Sequence, residues 1–553
     1  MKFNLSKKSI STYVMFAALG ISVFLHTYQI QKMCLNEDEA AQGYNTYSVL
    51  QTGYDEYGKI PFRYLSFGEN KLPLTGTLSA PFIAFFGLND LTVRLPILLI
   101  GIIFPLLFYG AAYSLTQSKN IAVIACVLAS TNTWLYTMSR HQHEAVVLAA
   151  IVLILITLVF RDLQDPDKNK DTGKKNTFMK TMLKIALLLF MGLYTYHSAK
   201  VIVPFFAVTV LVIVWKRYRE KFLTAFILVC AAFLVFGATE IIQPTNRVES
   251  LSYFTSPVFT HEIEEGRRLG GSPLYYNKVV YGAHRVIQRT FEYVSPSFLL
   301  FESDPNPRYG SVNVHLLTFF EYAMFLLGLV LLWVKRHPAR YFLSLMILVT
   351  IVPAVAAMPV QSLTRSFLMT IPIIIIVSIA IAQLMQYVRS PPSLVHKVSL
   401  GILVGGIIVH ITGLGSSGKN YFMNYLNSTE THVAWQCGTR EMSEYVWENY
   451  DKFDSFYITR RYGQPYIFLL FYKPYPPHEY QKIARTGQYN EYGFWEQDGF
   501  DKFIFQKPLV YKEIPRSAFI MTPEEVNMSG LDPKRLKPLL HDGRVRFYVK
   551  ENL

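Results

Sequence analysis

After its opening apolar run the chain reads NEDEAAQGYNTYSVLQTGYDEYGKIPF, and this stretch holds the first residues able to do chemistry. Glu37, Asp38 and Glu39 stand together within a few residues of the end of that run. Asn36 is suited to cap a helix, and Glu39 lies three residues on, as a capping box requires. Ala40, Tyr44 and Tyr47 then share one helical face, which predicts an interfacial helix lying along a membrane surface. The acids either complement the helix dipole or supply carboxylates for a reaction. Asp55 and Glu56, between TG and YGKIP, are either turn residues or a second acidic pair facing a ligand. Further on, FGENKLPLTGTLSAPFIAFFG puts Lys71 just ahead of a proline-broken apolar segment. There it either snorkels to the interface or faces a phosphate.

The elements that must position these residues are membrane helices. Of the 553 residues 51% are hydrophobic and only 17% charged, against about 25% in a soluble domain. Apolar runs near the ~20 residues needed to cross a bilayer occur at about 10–30, 92–113, 120–136, 144–160, 182–196, 201–215, 222–240, 314–334, 341–357, 367–387 and 398–414. Eleven spans are expected. Lys2, Lys7 and Lys8 precede the first, which is too long for a signal-peptide core and lacks a cleavage site. The basic clusters Arg161 to Lys184, Lys216 to Lys221, Lys335 to Arg340 and Arg389 to Lys397 alternate with short loops carrying only Arg140, Lys200 and Arg365. By the positive-inside rule the N-terminus is cytoplasmic and the C-terminus extracytoplasmic, in an inner or plasma membrane. The net charge of +14 sits mainly in those clusters. It therefore speaks for an anionic inner leaflet, and not for nucleic acid, for which no motif is present.

Three long segments then lie outside: about 31–91, about 241–313 and the tail from 415 to 553. The expected division is a transmembrane domain over 1–414, with the first two segments as external loops, and an extracytoplasmic α/β domain over 415–553. In the tail TREMSEYVWENYDKF reads as an amphipathic helix, and FDSFYIT, FIFQ, SAFIMT and RVRFYVK read as strands. Cys126 and Cys230 sit in apolar runs as small core residues. Cys34 and Cys437 both fall outside the membrane, where a disulfide is open to them, though no spacing demands one.

The run DEAAQGYNTYSVLQTGYDEYGKIPF, then FGENKLPL, then VRLP, resembles the start of polyprenyl-phosphate-sugar-dependent membrane glycosyltransferases. These are the protein mannosyltransferase and aminoarabinose transferase types (families 39 and 83) of the GT-C superfamily. SRHQHEAVV, YTYHSAKVIVP, DPNPRYG and QSLTRSFLMTIP also resemble that group, in order over roughly 10–414. WQCGTREMSEY and YGQPYIFLLFY resemble the soluble tails of bacterial members. Tyr309 and Gln361 depart from the pattern, since His is usual at both places.

The resemblance implies a polytopic GT-C fold and an inverting transfer of a sugar from a polyprenyl-phosphate donor to an acceptor hydroxyl on a protein, lipid or glycan. It implies Asp38 as general base, with Glu39 beside it. An acceptor hydroxyl has a pKa far above seven and needs a carboxylate within hydrogen-bond reach as it attacks. The leaving prenyl phosphate is already a stable anion, so it needs positive charge aimed at its oxygens more than a proton. Lys71, Arg140, Lys200, Arg308 and Arg365 are the external cations near span ends, with His197 nearby. Glu144, one helical turn beyond Arg140, is either its partner or an acid that orients the acceptor. Tyr44, like Asp55, Glu56 and His197, is a candidate contact to sugar or acceptor.

His141 and His143 flank this region, but an i, i+2 spacing on a helix turns two imidazoles apart, so no cofactor or metal is expected. Two other readings stay open. One is a lipid-pyrophosphate oligosaccharide transferase that needs a divalent ion. The other is a non-enzymatic transporter or exporter, which would show paired halves with broken helices and ionisable groups at mid-membrane.

Overall fold

The computed structural model describes residues 7–163, 175–244, 252–302, 304–310, 314–358, 361–484, 487–489 and 495–553. Lys2 and positions 164–174, which entered the orientation argument, lie outside the described residues, as do 245–251 of the second external segment. Each of the eleven apolar runs contains a helix. Seven helical stretches are long and apolar enough to cross a membrane: Ser11–Lys32, Asp90–Thr116, Glu144–Leu163, Ala199–Arg217, Arg219–Ile242, Leu363–Val388 and Leu394–Asn427. Lys119–Thr131, Phe319–Val334 and Arg340–Ala356 are shorter apolar helices, and Lys175–Leu193 carries lysines at 175, 180 and 184.

Two compact units emerge. The first comprises Met1–Ile30 and Ile97–Tyr425, and the second Gln31–Pro96 and Leu426–Leu553. In the first, the Thr370–Val388 helix is the centre, buried without interruption from Thr370 to Ile381. A helix apolar all round must be enclosed by protein or lipid. Leu394–Lys419 is the opposite case and exposes Val395, Val398, Ile402, Ile407 and Ile411, as a helix bordering lipid does. Prolines 81, 204 and 353 stand inside helices, a defect that neighbouring packing accommodates in membrane bundles.

The second unit departs from the expected division. Residues 31–91 were assigned with the membrane part, but they pack with the tail, and 415–425 stay with the bundle. The Glu37–Thr52 helix begins as expected: the Asn36 side chain accepts from Asp38 N and Glu39 N, and Glu39 returns a carboxylate to Asn36 N, closing the capping box. It is not an interfacial helix, however. Glu39 to Thr46 are eight consecutive buried residues. Its flanks pack against the Leu74–Phe86, Pro465–Tyr472 and Pro477–Ile483 helices. A side chain at Gly43 would bring its Cβ to 2.7 Å from Val93 Cγ2 and 2.8 Å from Phe471 Cε2, so only glycine permits this approach.

The tail forms a six-stranded mixed sheet in the order Gly499–Phe500, Phe503–Gln506, Ser455–Thr459, Ser517–Met521, Arg544–Asn552, Lys537–His541. The Ser455–Thr459 strand is parallel to both of its neighbours, and the remaining pairings are antiparallel. The four expected strands and the amphipathic helix, here Thr439–Glu448, are all present. Leu35, Ala40, Ala41 and Tyr44 share one apolar core with Met442, Phe456 and the Tyr466–Phe471 run. A disulfide joins Cys34 to Cys437 across 403 residues of sequence.

Candidate active site

The acidic triplet divides its work. Glu37 is used for assembly: its N–H donates to Gln436 Oε1 at 2.7 Å, and its carboxylate accepts from Gln464 N at 2.8 Å. Glu39 is fully enclosed and gripped on both oxygens by Arg94, at 2.7 Å from Nε and 2.6 Å from Nη2. The same guanidinium donates to the Met33 and Cys34 carbonyls at 2.7 Å each. The expectation that Glu39 stands ready beside Asp38 for catalysis is therefore corrected: its oxygens hold the segment that leads into the helix. Asp38 alone of the three faces outward, with its side chain 47% exposed.

Lys71 Nζ lies 2.5 Å from Asp38 Oδ1, and the lysine side chain is only 6% exposed. A short hairpin places it there. Tyr64–Ser66 pairs antiparallel with Glu69–Lys71, and Phe67 and Gly68 turn the corner with φ of 54° and 70°, as a tight hairpin requires. Lys71 Nζ is also 4.5 Å from the Phe67 ring centroid, over its negative face. An ammonium group is thus held against a carboxylate that opens outward. That pair can take a proton on one side and hold an anion on the other.

The second acidic pair behaves differently. Asp55 is buried and accepts from Tyr57 N, Lys59 N and Leu65 N at 2.8–3.0 Å. Burial pushes its carboxyl up while those backbone donors pull it down. This is the turn chemistry, and it leaves no ligand contact. Glu56 is fully buried, with Oε1 accepting from Ser66 Oγ at 2.7 Å and Tyr466 OH at 3.1 Å. Burial is the main reason its carboxyl rises from 4.5 to about 8; Asp55 adds to this, and Ser66, Tyr466 and Lys71 oppose it. Tyr44, expected near the sugar, is a core residue whose hydroxyl donates to the Tyr475 carbonyl at 2.9 Å. Asp55, Glu56 and Tyr44 are all enclosed and so are corrected as direct contacts to a ligand.

Glu56 makes stability depend on pH. Between 4.5 and about 8 the folded protein keeps a proton that the unfolded chain has released. Its contribution is therefore complete below 4.5 and is lost as pH rises through about 8. Glu56→Gln, which holds the neutral shape at every pH, is expected to raise the thermal midpoint of solubilised protein most at pH 9 and little at pH 4. An equal change at both would show that Glu56 carries no such proton.

The remaining candidates lie in the first unit. Arg140 is buried and donates to the Leu25 and His26 carbonyls at 2.8 and 3.1 Å, meeting the exposed end of the first helix. Residues 139–143 are not helical, so the one-turn relation expected between Arg140 and Glu144 is corrected. Glu144 begins the next helix, with His143 Nδ1 at 3.9 Å from its carboxylate. Lys200 pairs with Glu240 at 3.0 Å. His197 lies in the turn just before Lys200, its carbonyl accepting from Lys200 N at 3.1 Å. Arg365 donates to the Met358 carbonyl. Arg308 is half-buried, and its carbonyl accepts from Tyr425 OH at 2.5 Å.

Several motifs do converge there. His141 lies tilted against Tyr309 and His143 meets it edge-on, with centroids 5.6 and 6.0 Å away, and His143 meets Tyr196 edge-on at 5.6 Å. Asp304 accepts from Leu363 N at 2.8 Å and so ties DPNPRYG to QSLTRSF. Among the described residues, Cys34, Cys437 and His541 lie at metal-ligand spacing, but both sulfurs are consumed by the disulfide.

Sequence reasoning missed Arg94, Glu240 and Asp304. Arg94 had a signal: an arginine inside an apolar run demands an anionic or carbonyl partner.

No family profile and no curated relative matches the sequence. Among solved structures, the oligosaccharyltransferase of Archaeoglobus fulgidus in its apo form is similar over 84% of this chain, with a TM-score of 0.52 at 14% identity. This chain spans 64% of that enzyme's length. ArnT from Cupriavidus metallidurans bound to undecaprenyl phosphate aligns over 98% of both chains at 11% identity and a TM-score of 0.49. At such identities a likeness speaks for fold alone. Together with the apolar helices, the match to the archaeal enzyme makes this chain a multi-pass membrane protein of the GT-C fold.

Proposed function

We propose that the protein is an inverting glycosyltransferase that moves a sugar from a polyprenyl-phosphate donor to an acceptor hydroxyl on the extracytoplasmic face. The observation that carries this reading is the Asp38–Lys71 pair, at 2.5 Å and open on the carboxylate side. Asp38 takes the acceptor's proton as the new C–O bond forms at the anomeric carbon. The bond to the prenyl phosphate breaks on the opposite face, and Lys71 receives the departing oxygens as a point charge. Arg140 and Arg365 bond main-chain carbonyls, and Lys200 pairs with Glu240. Lys71, beside the proposed base, is the phosphate ligand of this reading.

The Cys34–Cys437 bond supports the expected orientation, because disulfides persist in oxidising compartments. In this reading the acidic helix and the tail are extracytoplasmic. The GT-C fold matched to an oligosaccharyltransferase favours a second reading, transfer of a glycan from a lipid pyrophosphate with a divalent ion.

Purified protein incubated with a panel of polyprenyl-phosphate sugars is expected to release polyprenyl phosphate and to form a product of inverted anomeric configuration. Release only from lipid-pyrophosphate glycans, abolished by a chelator, would favour the second reading. No release from any donor, with a substrate moved across vesicles instead, would overturn both.

A further inference from the structure

Between the membrane helices Arg219–Ile242 and Phe319–Val334 the chain builds a helical hairpin, Pro257–Arg268 followed by Lys278–Val294. Its inner side is well packed. Phe259 and Ile263 gather with Tyr253 in a small core. The Arg289 guanidinium lies 3.5 Å from the Tyr253 ring centroid. It donates to the Val355 carbonyl at 2.9 Å and to Ala357 at 3.2 Å, at the C-terminal end of the Arg340–Ala356 helix. Tyr322, near the start of the Phe319–Val334 helix, donates to the Val294 carbonyl at 3.2 Å.

These anchors fix a depth. Arg289 and Val294, five residues apart on one helix, hold the end of Arg340–Ala356 and the start of Phe319–Val334, so those two ends of apolar helices lie at one level. The Lys278–Val294 helix is bonded to both of those ends. Its outer side is apolar and uncovered. At 100° per residue, Val279, Val280, Val286, Ile287 and Phe291 fall on one face, with Val279 79%, Ile287 58% and Phe291 68% exposed. The adjoining turn exposes Leu269 and Leu274 beside Arg268 and Lys278. Along Arg340–Ala356 itself, Tyr341, Leu345, Leu348 and Val352 form an exposed stripe that ends one turn before the carbonyl gripped by Arg289.

We propose that the Lys278–Val294 helix lies in the headgroup layer of the bilayer, with its Val279–Ile287–Phe291 face in the acyl boundary and the exposed Lys278 and neighbouring Arg268 toward lipid phosphates. An apolar face of this width is costly in water. It is bonded to a membrane helix that bears its own exposed apolar stripe, and Lys278 and Arg268 match anionic headgroups. The surface is formed within the membrane unit and stands independently of the transfer reaction.

The test uses the full chain reconstituted in vesicles of phosphatidylcholine and phosphatidylglycerol. Ile287→Cys, Phe291→Cys and, on the polar side, Gln288→Cys are each labelled with bimane, and the signal of the unsubstituted protein is subtracted. Shallow doxyl-lipid is expected to quench positions 287 and 291 several-fold more than 288, and aqueous iodide to show the reverse order. Iodide quenching of all three alike would overturn the proposal in favour of a solvated hairpin. Protection of 287 and 291 from both quenchers would overturn it in favour of a protein occupant.

Discussion

Asp38→Asn is expected to lower the rate of sugar transfer by about 10²- to 10⁴-fold, the usual contribution of a positioned general base. The substitution keeps the shape of the side chain and removes only its capacity to accept a proton. The local backbone is held by other groups: Asn36 supplies the cap, and Glu39 returns the second bond of the box. Asp38 is nearly half exposed but Lys71 is only 6% exposed, so the substitution leaves a largely buried ammonium without its carboxylate. The thermal midpoint should fall modestly, and rates are therefore compared well below it. Lys71, released from its partner, becomes more available to the donor phosphate, so KM for the donor should stay level or fall while kcat collapses. Steady-state kinetics on released polyprenyl phosphate read both quantities. Turnover close to that of the wild type would place the base elsewhere and leave the Asp38–Lys71 pair with no catalytic purpose.

Arg94→Met is expected to destabilise the second unit by about 3–5 kcal/mol, because it strands a buried carboxylate. Arg94 holds Glu39 through two charge-assisted bonds and also holds the Met33 and Cys34 carbonyls. Its loss removes four bonds from the segment that aims Asp38. The physical argument has a built-in check. Glu39→Gln combined with Arg94→Met removes the stranded charge as well, so the double variant should be more stable than Arg94→Met alone. Thermal unfolding of the purified protein compares them directly. If the single and double variants unfold together, the cost lies in lost packing, and the buried charge does not matter. Turnover should fall in both, since Asp38 is then carried by a less well-held helix start.

Much of the architecture was legible because it depends on local composition. A run of apolar residues cannot satisfy its backbone in lipid except as a helix, and all eleven runs contain one. The capping box at Asn36 and Glu39 was equally readable, since both partners sit within one turn of chain. The tail strands followed from alternation and β-branched or aromatic content over four to nine residues. Asp38 and Lys71 were each singled out from their positions beside apolar segments.

What remained hidden was partner choice across long separations. Ala40, Tyr44 and Tyr47 were correctly placed on one face, yet the pattern could not show whether lipid or protein would cover it. The Pro465–Tyr472 helix, more than four hundred residues on, covers part of it. The charge of Arg140 is visible in the sequence and suggests a phosphate ligand, while the Leu25 and His26 carbonyls that it meets carry no sequence signature. Glu39 and Asp38 are neighbours of like chemistry; only folding turned one inward to Arg94 and the other outward to Lys71. By itself, then, the order of amino acids determined where the chain is helical, which ends carry charge and which acids could react. The tertiary structure decided which of those charges neutralise one another, because burial and pairing are set by distances between segments that local periodicity does not encode.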